Sequence, residues 1–266
     1  MSLPEYQVYA VRMASAERRA PDNFLVRDVH DGIMPLDFYI WVIRGPDRLV
    51  VVDTAFSDHS SQRRNRRLDV TPEQAVRALG AEPEQVDDVV ITHLHYDHAG
   101  GLASFPQAPL HIQDRELSFA TGRHMGQPQL SHFFEVEDVV RMVREVYAGR
   151  VRFYDGEARL APGLSLHRIG GHTDGLQVVR VHTRRGWLVL ASDALHYYAN
   201  MERRNPFPAI FHVGEMLQGY DIIASLADSA DHIIPGHDPR VRARYPRLPV
   251  EGIDIAVLHE PPAQRG

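Results

Sequence analysis

The segment "VVITHLHYDHAGG", residues 89–101, holds three histidines and one aspartate within six consecutive positions, directly after an apolar run. The apolar run predicts a strand, so these side chains lie at a strand end. Side chains alternate along extended backbone, which places His93, His95 and Asp97 on one side. His98 follows on the turn. Imidazole nitrogens and carboxylate oxygens bind transition metals, so the segment indicates part of a metal site.

Three further ligand-type residues stand in the same kind of place, after a strand-like run and beside glycine or another small residue. They are His172 in "RIGGHTDG", Asp193 in "LVLASDA" and His237 in "HIIPGHD". Loops at one edge of a sheet can bring such residues together, and the flanking glycines allow close backbone approach. The seven side chains are enough for two ions if Asp193 bridges them.

The amino-acid composition excludes several kinds of binding and catalysis. The 266 residues are 44% hydrophobic with a formal net charge of −6, which favours a full core and disfavours nucleic-acid or anionic-membrane binding. The chain has no cysteine, and its 29 basic residues are all arginine, so thiolate sites and Schiff-base lysines are excluded. The sequence shows neither a secretory signal nor an apolar run long enough to span a bilayer, so we expect a cytoplasmic location.

The order of predicted elements indicates the fold. The strand "QVYAVRMA" precedes two strands joined by a hairpin turn at Gly45-Pro46-Asp47. "TPEQAVRALG" predicts a helix with Thr71 as its N-cap and Gly80 closing it. Residues 114–147 have a mostly helical pattern, and later strands end with "DHIIPGH" as the last. Two successive β-rich halves, each closed by helices, predict an α/β fold, an αββα sandwich forming a single domain over residues 1–266 with one continuous core.

These motifs, in this order, resemble the metallo-β-lactamase superfamily. "THLHYDHAGG", "GGHTDG", "ASDA" and "PGHD" carry the resemblance, and "VVVDTA" resembles the family's early strand. The resemblance implies that one metal is held by His93, His95 and His172, the other by Asp97, His98 and His237, with Asp193 bridging. Asp53 and Thr92 would support the ligand histidines through hydrogen bonds.

The resemblance implies a metal-dependent hydrolase that holds two divalent ions, with zinc favoured and iron, manganese or cobalt as alternatives. A hydroxide bridging the ions would open a lactone or related cyclic ester, a small-molecule substrate. Asp97 and Asp193 would be the catalytic carboxylates, and Asp97 would also carry a proton.

Within the superfamily, the chain is most similar to the branch of N-acyl homoserine lactonases and 4-pyridoxolactonase. That branch has a substrate-binding tyrosine three residues after the bridging aspartate, where this chain has His196. Either His196 or Tyr197 would take its role. The segment "LHYYANMERRNPFPAIFHV" is therefore expected to form the pocket wall, with Arg203 or Arg204 available to a carboxylate. The residues predicted to contact substrate are His196, Tyr197, Tyr198, Phe207 and His212.

Other functions stay open at this stage. A glyoxalase II-like thioesterase and a non-catalytic metal-binding protein could share the ligand pattern, and a flavodiiron-type redox protein could share the fold, although its motif has glutamate where this chain has His95. The "RRNRR" segment, residues 63–67, favours a solvated loop or helix edge over an anion-binding patch. The valines between 139 and 146 are typical of a helix core or a homodimer contact, so a homodimer is allowed.

Overall fold

A computed structural model of the chain describes residues 3–263. Within that range twelve strands form two sheets. The strands are β1 (Gln7–Ala16), β2 (Leu36–Arg44), β3 (Leu49–Val52), β4 (Asp88–Val90), β5 (Leu110–Gln113), β6 (Val151–Tyr154), β7 (Glu157–Ala161), β8 (Leu164–Arg168), β9 (Gln177–Thr183), β10 (Gly186–Ser192), β11 (Ile233–Pro235) and β12 (Ile255–Val257).

The larger sheet has the order β12-β1-β2-β3-β4-β5-β6, and the smaller has the order β11-β10-β9-β8-β7. Strands β1 to β3 form the predicted meander, with antiparallel pairing across the hairpin turn. Strands β3 to β6 pair in parallel, as do β10 and β11. Because parallel neighbours end at the same edge of a sheet, the loops after β3, β4, β10 and β11 can meet there.

Nine helices of the described range surround the sheets. They are α1 (Asp58–Arg63), α2 (Pro72–Ala78), α3 (Tyr96–Ala99), α4 (Asp114–Ala120), α5 (Pro128–Ser131), α6 (Val136–Tyr147), α7 (Tyr198–Glu202), α8 (Val213–Leu226) and α9 (Arg240–Arg244). The predicted start of α2 is confirmed, because Thr71 and Gln74 form a reciprocal capping box. No helix among residues 3–263 is long and apolar enough to cross a bilayer.

The αββα arrangement is confirmed, but the prediction of one continuous core is wrong. Three apolar layers are present: one between the sheets, one between the large sheet and its helices, and one beneath α8. Strand β2 explains the separation, since all but its last residue are buried. Trp41 packs between the sheets, whereas Ile40 and Val42 face the helical layer.

The prediction that "DHIIPGH" forms the last strand is also wrong. Strand β12 follows it and pairs antiparallel with β1, so that Tyr9 lies opposite Val257. Only three residues long, β12 lacks the extended alternating pattern by which strands are recognised in a sequence. It lies at the edge of the large sheet, where β1 and β2 separate it from β3 and β4.

Candidate metal centre

The "THLHYDHAGG" segment turns sharply after β4. His95 has extended backbone and is the N-cap of α3, so Asp97 and His98 occupy that helix's only turn. The two glycines that follow are needed for close packing. A Cβ on Gly100 would lie 2.3 Å from the Ser57 nitrogen, and one on Gly101 would lie 2.2 Å from the Thr54 oxygen. The motif therefore packs directly against the segment that follows β3.

The structure brings all seven predicted ligand residues together. Their ligand atoms form two groups, and a third group joins Asp193 and His237 to His196, each with its members within 4.8 Å of one another. The first group contains His93, His95, His172 and Asp193, and the second contains Asp97, His98 and His237.

Asp193 lies between the two groups and faces each with a different oxygen. Its Oδ2 is 3.2 Å from His172 Nε2 and 3.8 Å from His93 Nε2. Its Oδ1 is 2.9 Å from His237 Nε2 and 3.3 Å from His98 Nε2. A carboxylate in this position can contact two cations at once.

The ligand histidines are oriented through their other ring nitrogen. His98 Nδ1 lies 2.7 Å from Asp53 Oδ2. His172 Nδ1 lies 2.6 Å from the Ala209 carbonyl, and His237 Nδ1 lies 2.8 Å from the Asp37 carbonyl. With Nδ1 held in this way, Nε2 of each ring is the nitrogen available to a metal. His95 is the exception, because its Nδ1 faces the cluster, 2.9 Å from His172 Nε2.

Several of these buried atoms lack a hydrogen-bond partner among residues 3–263. They are His93 Nε2, His98 Nε2 and Asp193 Oδ1. Leaving a buried polar atom unpaired costs about 1–3 kcal/mol each, so such a cluster is unfavourable unless something else binds it. Nitrogen and oxygen donors at these positions fit divalent transition metals, zinc above all.

The electrostatics divide the ligand histidines of this cluster. Burial disfavours the charged forms of His98 and His237, but Asp193 and other carboxylates outweigh it, raising the pKa of His98 well above its usual value and that of His237 above its usual value. Burial lowers the pKa of His93 well below its usual value, and the imidazoles of His98 and His95 lower it further. Burial opposes ionisation of Asp193, but three neighbouring imidazoles outweigh it and hold the Asp193 pKa well below its ordinary value. A metal requires neutral imidazoles and ionised carboxylates, so an ion bound here would displace protons from His98 and His237.

Asp53 connects several parts of the site at the end of β3. Its Oδ1 accepts a hydrogen bond from the Thr92 amide at 2.8 Å, and its Oδ2 accepts one from the Thr92 hydroxyl at 2.8 Å. The Thr92 hydroxyl also lies 2.9 Å from Ser192 Oγ and 3.1 Å from His93 Nδ1. Asp53 and Ser192 both have positive φ, 63° and 45°, which is strained for residues with a Cβ.

Glu116 is a buried residue of this region that the sequence did not reveal. Its Oε1 accepts a hydrogen bond from the Leu94 amide at 2.8 Å. Its Oε2 accepts from the Thr173 hydroxyl at 2.6 Å and the Gly175 amide at 3.1 Å. The carboxylate thus ties the loop carrying His93 to the loop carrying His172. In the sequence Glu116 resembles an ordinary exposed acid in the first turn of a helix, so no local signal marks it.

Comparison with known families agrees with this geometry. Residues 36–237 match the family model of the metallo-beta-lactamase superfamily, and that range contains all seven ligand residues. The chain belongs to this superfamily. The resemblance inferred from the motifs is therefore confirmed, together with the fold that it implied.

Relatives within the superfamily include an N-acyl homoserine lactonase from a Bacillus species. It is 29% identical over 133 residues, which is 50% of this chain and 48% of that protein. The chain thus spans about half the length of the curated relatives it matches.

Two solved structures share the fold. A quorum-quenching N-acyl homoserine lactone lactonase has a TM-score of 0.72 and 21% identity, covering 90% of this chain and 94% of that one. A dizinc quorum-quenching lactonase in complex with a product has a TM-score of 0.70 and 15% identity, covering 95% and 91%.

Only two of the five residues predicted to contact substrate line the pocket beside the ligand residues. His196 and Phe207 line it, and their rings stack in parallel with centroids 3.8 Å apart. His196 Nε2 lies 3.0 Å from Asp193 Oδ2. Burial lowers the His196 pKa to about 3, despite the opposing effect of Asp193.

Tyr197, Tyr198 and His212 do not line this pocket. Tyr197 is buried in the helical layer, and its hydroxyl donates to the Pro35 carbonyl at 3.2 Å. Tyr198 packs between the sheets and lines a separate cavity with Arg240 and Arg244. His212 is exposed and caps α8 by accepting a hydrogen bond from the Glu215 amide. The backbone of Tyr197 is extended, and its side chain does not follow that of His196 into the pocket.

The two arginines proposed for a carboxylate are also elsewhere. Arg203 pairs with Asp28 and Arg204 with Asp221, both on the exposed surface. Residues from distant segments line the pocket in their place, among them Arg18, Phe38, Arg66 and Phe133. Of these, only Arg66 belongs to a motif visible in the sequence, the "RRNRR" segment.

Proposed function

We propose that this chain is a metal-dependent hydrolase that opens a lactone or a related cyclic ester. The observation that carries the proposal is that seven histidine and aspartate side chains converge around Asp193 in a chain of the metallo-beta-lactamase superfamily. The N-acyl homoserine lactonase relative and the lactonase structures of the same fold support a lactone as the substrate class.

The residues present fit two divalent ions, with zinc favoured because its preferred ligands are imidazole nitrogens and carboxylate oxygens. His93, His95 and His172 would hold one ion, Asp97, His98 and His237 the other, and Asp193 both. The dizinc lactonase of the same fold supports this number. When bound, such ions supply Lewis acidity toward the ester carbonyl and an activated water as the nucleophile.

The chain's own groups have separate roles in this proposal. Asp193 holds the two halves of the site in register through its two oxygens. Asp97 Oδ2 lies 3.8 Å from His98 Nε2 and 3.9 Å from His237 Nε2, and its side chain is 12% exposed. It is therefore open enough to the pocket to transfer a proton to the leaving alkoxide. Asp53 and Thr92 orient His98 and His93, while His196 and Phe207 form the substrate wall.

The test combines metal analysis with a substrate panel. The protein is purified, assayed for metal per chain, and tested on N-acyl homoserine lactones, simple lactones, a linear ester and a thioester. We expect two equivalents of metal and preferential lactone opening. Asp193→Ala should lose metal and reduce kcat/KM by at least about 100-fold, since removing even an outer residue of a metal site costs 10–100-fold.

The matched control is His30→Ala, which removes an exposed histidine outside the cluster and should change neither quantity. Full activity of the metal-free protein would refute a metal-dependent mechanism. A clear preference for the thioester would replace the lactone with the thioesterase alternative. Bound metal without turnover of any substrate would leave a metal-binding protein.

A further inference from the structure

Two arginines line the pocket that several of the proposed metal ligands also line. Arg18 follows β1 and Arg66 follows α1, and both are half-buried in the pocket wall. Neither forms an ion pair with a carboxylate within residues 3–263, in contrast to the exposed pairs of Arg203 and Arg204. Two cationic side chains therefore face the pocket without a neutralising partner in the described chain.

Arg18 is held in position by neutral groups. Its Nε donates to Asn23 Oδ1 at 2.6 Å, and its Nη2 donates to the Asp22 carbonyl at 2.7 Å. The guanidinium carbon lies 5.0 Å from the centre of the Phe207 ring. These contacts fix the guanidinium without cancelling its charge, which is how a preorganised anion-binding side chain is arranged.

Arg66 reaches the pocket because the chain reverses after α1. Asn65 adopts a left-handed conformation with φ of 48°, which asparagine tolerates better than most residues. The Arg66 amide then donates to the Ser61 carbonyl at 2.9 Å. Its guanidinium carbon lies 5.0 Å from the centre of the Phe38 ring. The neighbouring Arg67 is exposed instead and does not line the pocket.

Each arginine is separated from the metal cluster by one aromatic ring. On one side, Phe207 lies between Arg18 and His196, stacking on the imidazole at 3.8 Å. On the other side, Phe38 lies between Arg66 and His237, with ring centroids 5.5 Å apart. An anion held by either arginine would therefore lie on the far side of an aromatic ring from the imidazoles around Asp193.

We infer that the substrate carries an ionised carboxylate that Arg66 binds, several bonds away from the ester carbonyl that is attacked, with Arg18 adding to the positive charge of the pocket wall. This inference rests on the proposed hydrolase function and narrows it to anionic esters or lactones. A guanidinium is planar and pairs with a carboxylate through two parallel hydrogen bonds, so it recognises geometry as well as charge. The aromatic rings would contact the spacer between the two ends of the substrate.

The charge of the rest of the molecule makes these arginines decisive. The chain as a whole carries −6, and Asp97 and Asp193 also face the pocket. The net charge of the chain alone would repel an anionic substrate, whereas the proposed metal ions would offset the two aspartates, so cations in the pocket wall decide where a carboxylate binds. The opposing explanation is that Arg18 and Arg66 only balance the two aspartates, in which case their removal would alter metal content and affect every substrate equally.

The experiment compares substrates that differ only in charge. N-succinyl and N-glutaryl homoserine lactones carry a terminal carboxylate, and the corresponding terminal amides are neutral and nearly isosteric. The metal-loaded wild type should have a kcat/KM at least about tenfold higher for the carboxylates, mainly through KM. Arg66→Gln should remove that preference by lowering kcat/KM for the carboxylates much more than for the amides. Arg67→Gln is the matched control and should retain the preference, and metal content should be equal in all three proteins.

Equal rates for carboxylate and amide in the wild type would overturn the inference while leaving the hydrolase intact. So would an Arg66→Gln variant that loses activity on both substrates equally or loses metal. If the wild type hydrolyses neither, the proposed function fails, and calorimetric binding of the same compounds decides the inference independently. It then stands only if the carboxylate binds at least about tenfold more tightly than the amide and Arg66→Gln abolishes the difference.

Discussion

Two buried histidine–aspartate pairs in this molecule look alike and differ in one nitrogen. In the metal cluster, His98 Nδ1 lies 2.7 Å from Asp53, and His98 Nε2 has no hydrogen-bond partner among the described residues. In the large sheet, His111 Nε2 lies 2.8 Å from Asp88 Oδ1, and its Nδ1 lies 2.8 Å from the Tyr154 hydroxyl. The first imidazole keeps a free nitrogen that a metal can use, whereas the second has none.

The comparison shows that a buried histidine–carboxylate pair does not by itself identify a functional site. A ring nitrogen without a hydrogen-bond partner does identify one when other possible ligand atoms surround it. His98 is accompanied by five more histidines and two aspartates within the cluster and its wall. His111 contacts one carboxylate, which is also paired with Arg48. The first pair is therefore assigned to the proposed metal site and the second to the stability of the sheet.

The largest expected difference is between His98→Ala and His111→Ala. His98→Ala removes a proposed ligand, so metal per chain should fall and lactone hydrolysis should drop by more than about 100-fold. His111→Ala should keep both metal equivalents and lose about 1–3 kcal/mol of unfolding free energy, because Asp88 loses a buried partner. Metal analysis, kinetics and denaturant unfolding of both variants check this. Equal metal loss in the two variants would remove the distinction.

A smaller difference is expected for the two carboxylates. Asp53→Asn should weaken metal binding by about 10–100-fold, since the amide orients His98 less well and no longer stabilises its Nδ1 proton. Asp88→Asn should leave metal affinity unchanged. Competition with a zinc chelator measures both constants. If Asp53→Asn bound metal as tightly as the wild type, Asp53 would be a structural residue like Asp88.

The smallest expected effect is the pH dependence of stability that comes from the Asp88–His111 pair in the large sheet. Burial opposes the charge of Asp88, but His111 and Arg48 outweigh it and lower its pKa below the ordinary 3.8. A folded-state pKa below the unfolded one contributes stability that is present above about pH 4 and is lost as pH falls through the folded value. Asp88→Asn should therefore cost about 1–2 kcal/mol at pH 7 and less at pH 3.

Urea unfolding of metal-free protein at the two pH values measures this change. The control is Asp47→Asn in the exposed hairpin turn, which should have a small effect at both pH values. A cost for Asp88→Asn that is as large at pH 3 as at pH 7 would show that the aspartate acts through packing and not through its charge.

The proposed metal ligands could be predicted from the sequence because the features that mark them are local. Ligand residue types, the strands before them and the glycines beside them are all visible in short segments around His93, Asp193 and His237. The start of α2 is local for the same reason, since Thr71 and Gln74 are three residues apart. These features need no knowledge of which distant segments meet.

The residues that line the pocket could not be predicted. They depend on packing between distant segments and on which of two adjacent side chains points inward. Arg18 and Phe207 meet across 189 residues of chain, and nothing near either residue indicates the other. His196 and Tyr197 are adjacent, so the direction of one side chain decides which enters the pocket. Arg66 could not be singled out from its neighbours in "RRNRR", since the left-handed turn at Asn65 determines which arginine points inward.

The hydrogen bond between Thr92 and Ser192 joins the two sheets, because Thr92 follows β4 of the large sheet and Ser192 ends β10 of the small one. The sheets therefore cannot separate at this edge without breaking the network that also fixes His93 and His98. Fluctuations that open the sandwich here and those that dismantle the metal centre are the same event. The Thr92 amide is bonded to the Asp53 carboxylate and the Asp53 amide to the Val90 carbonyl beside it, so both should exchange with solvent only as slowly as the whole protein unfolds.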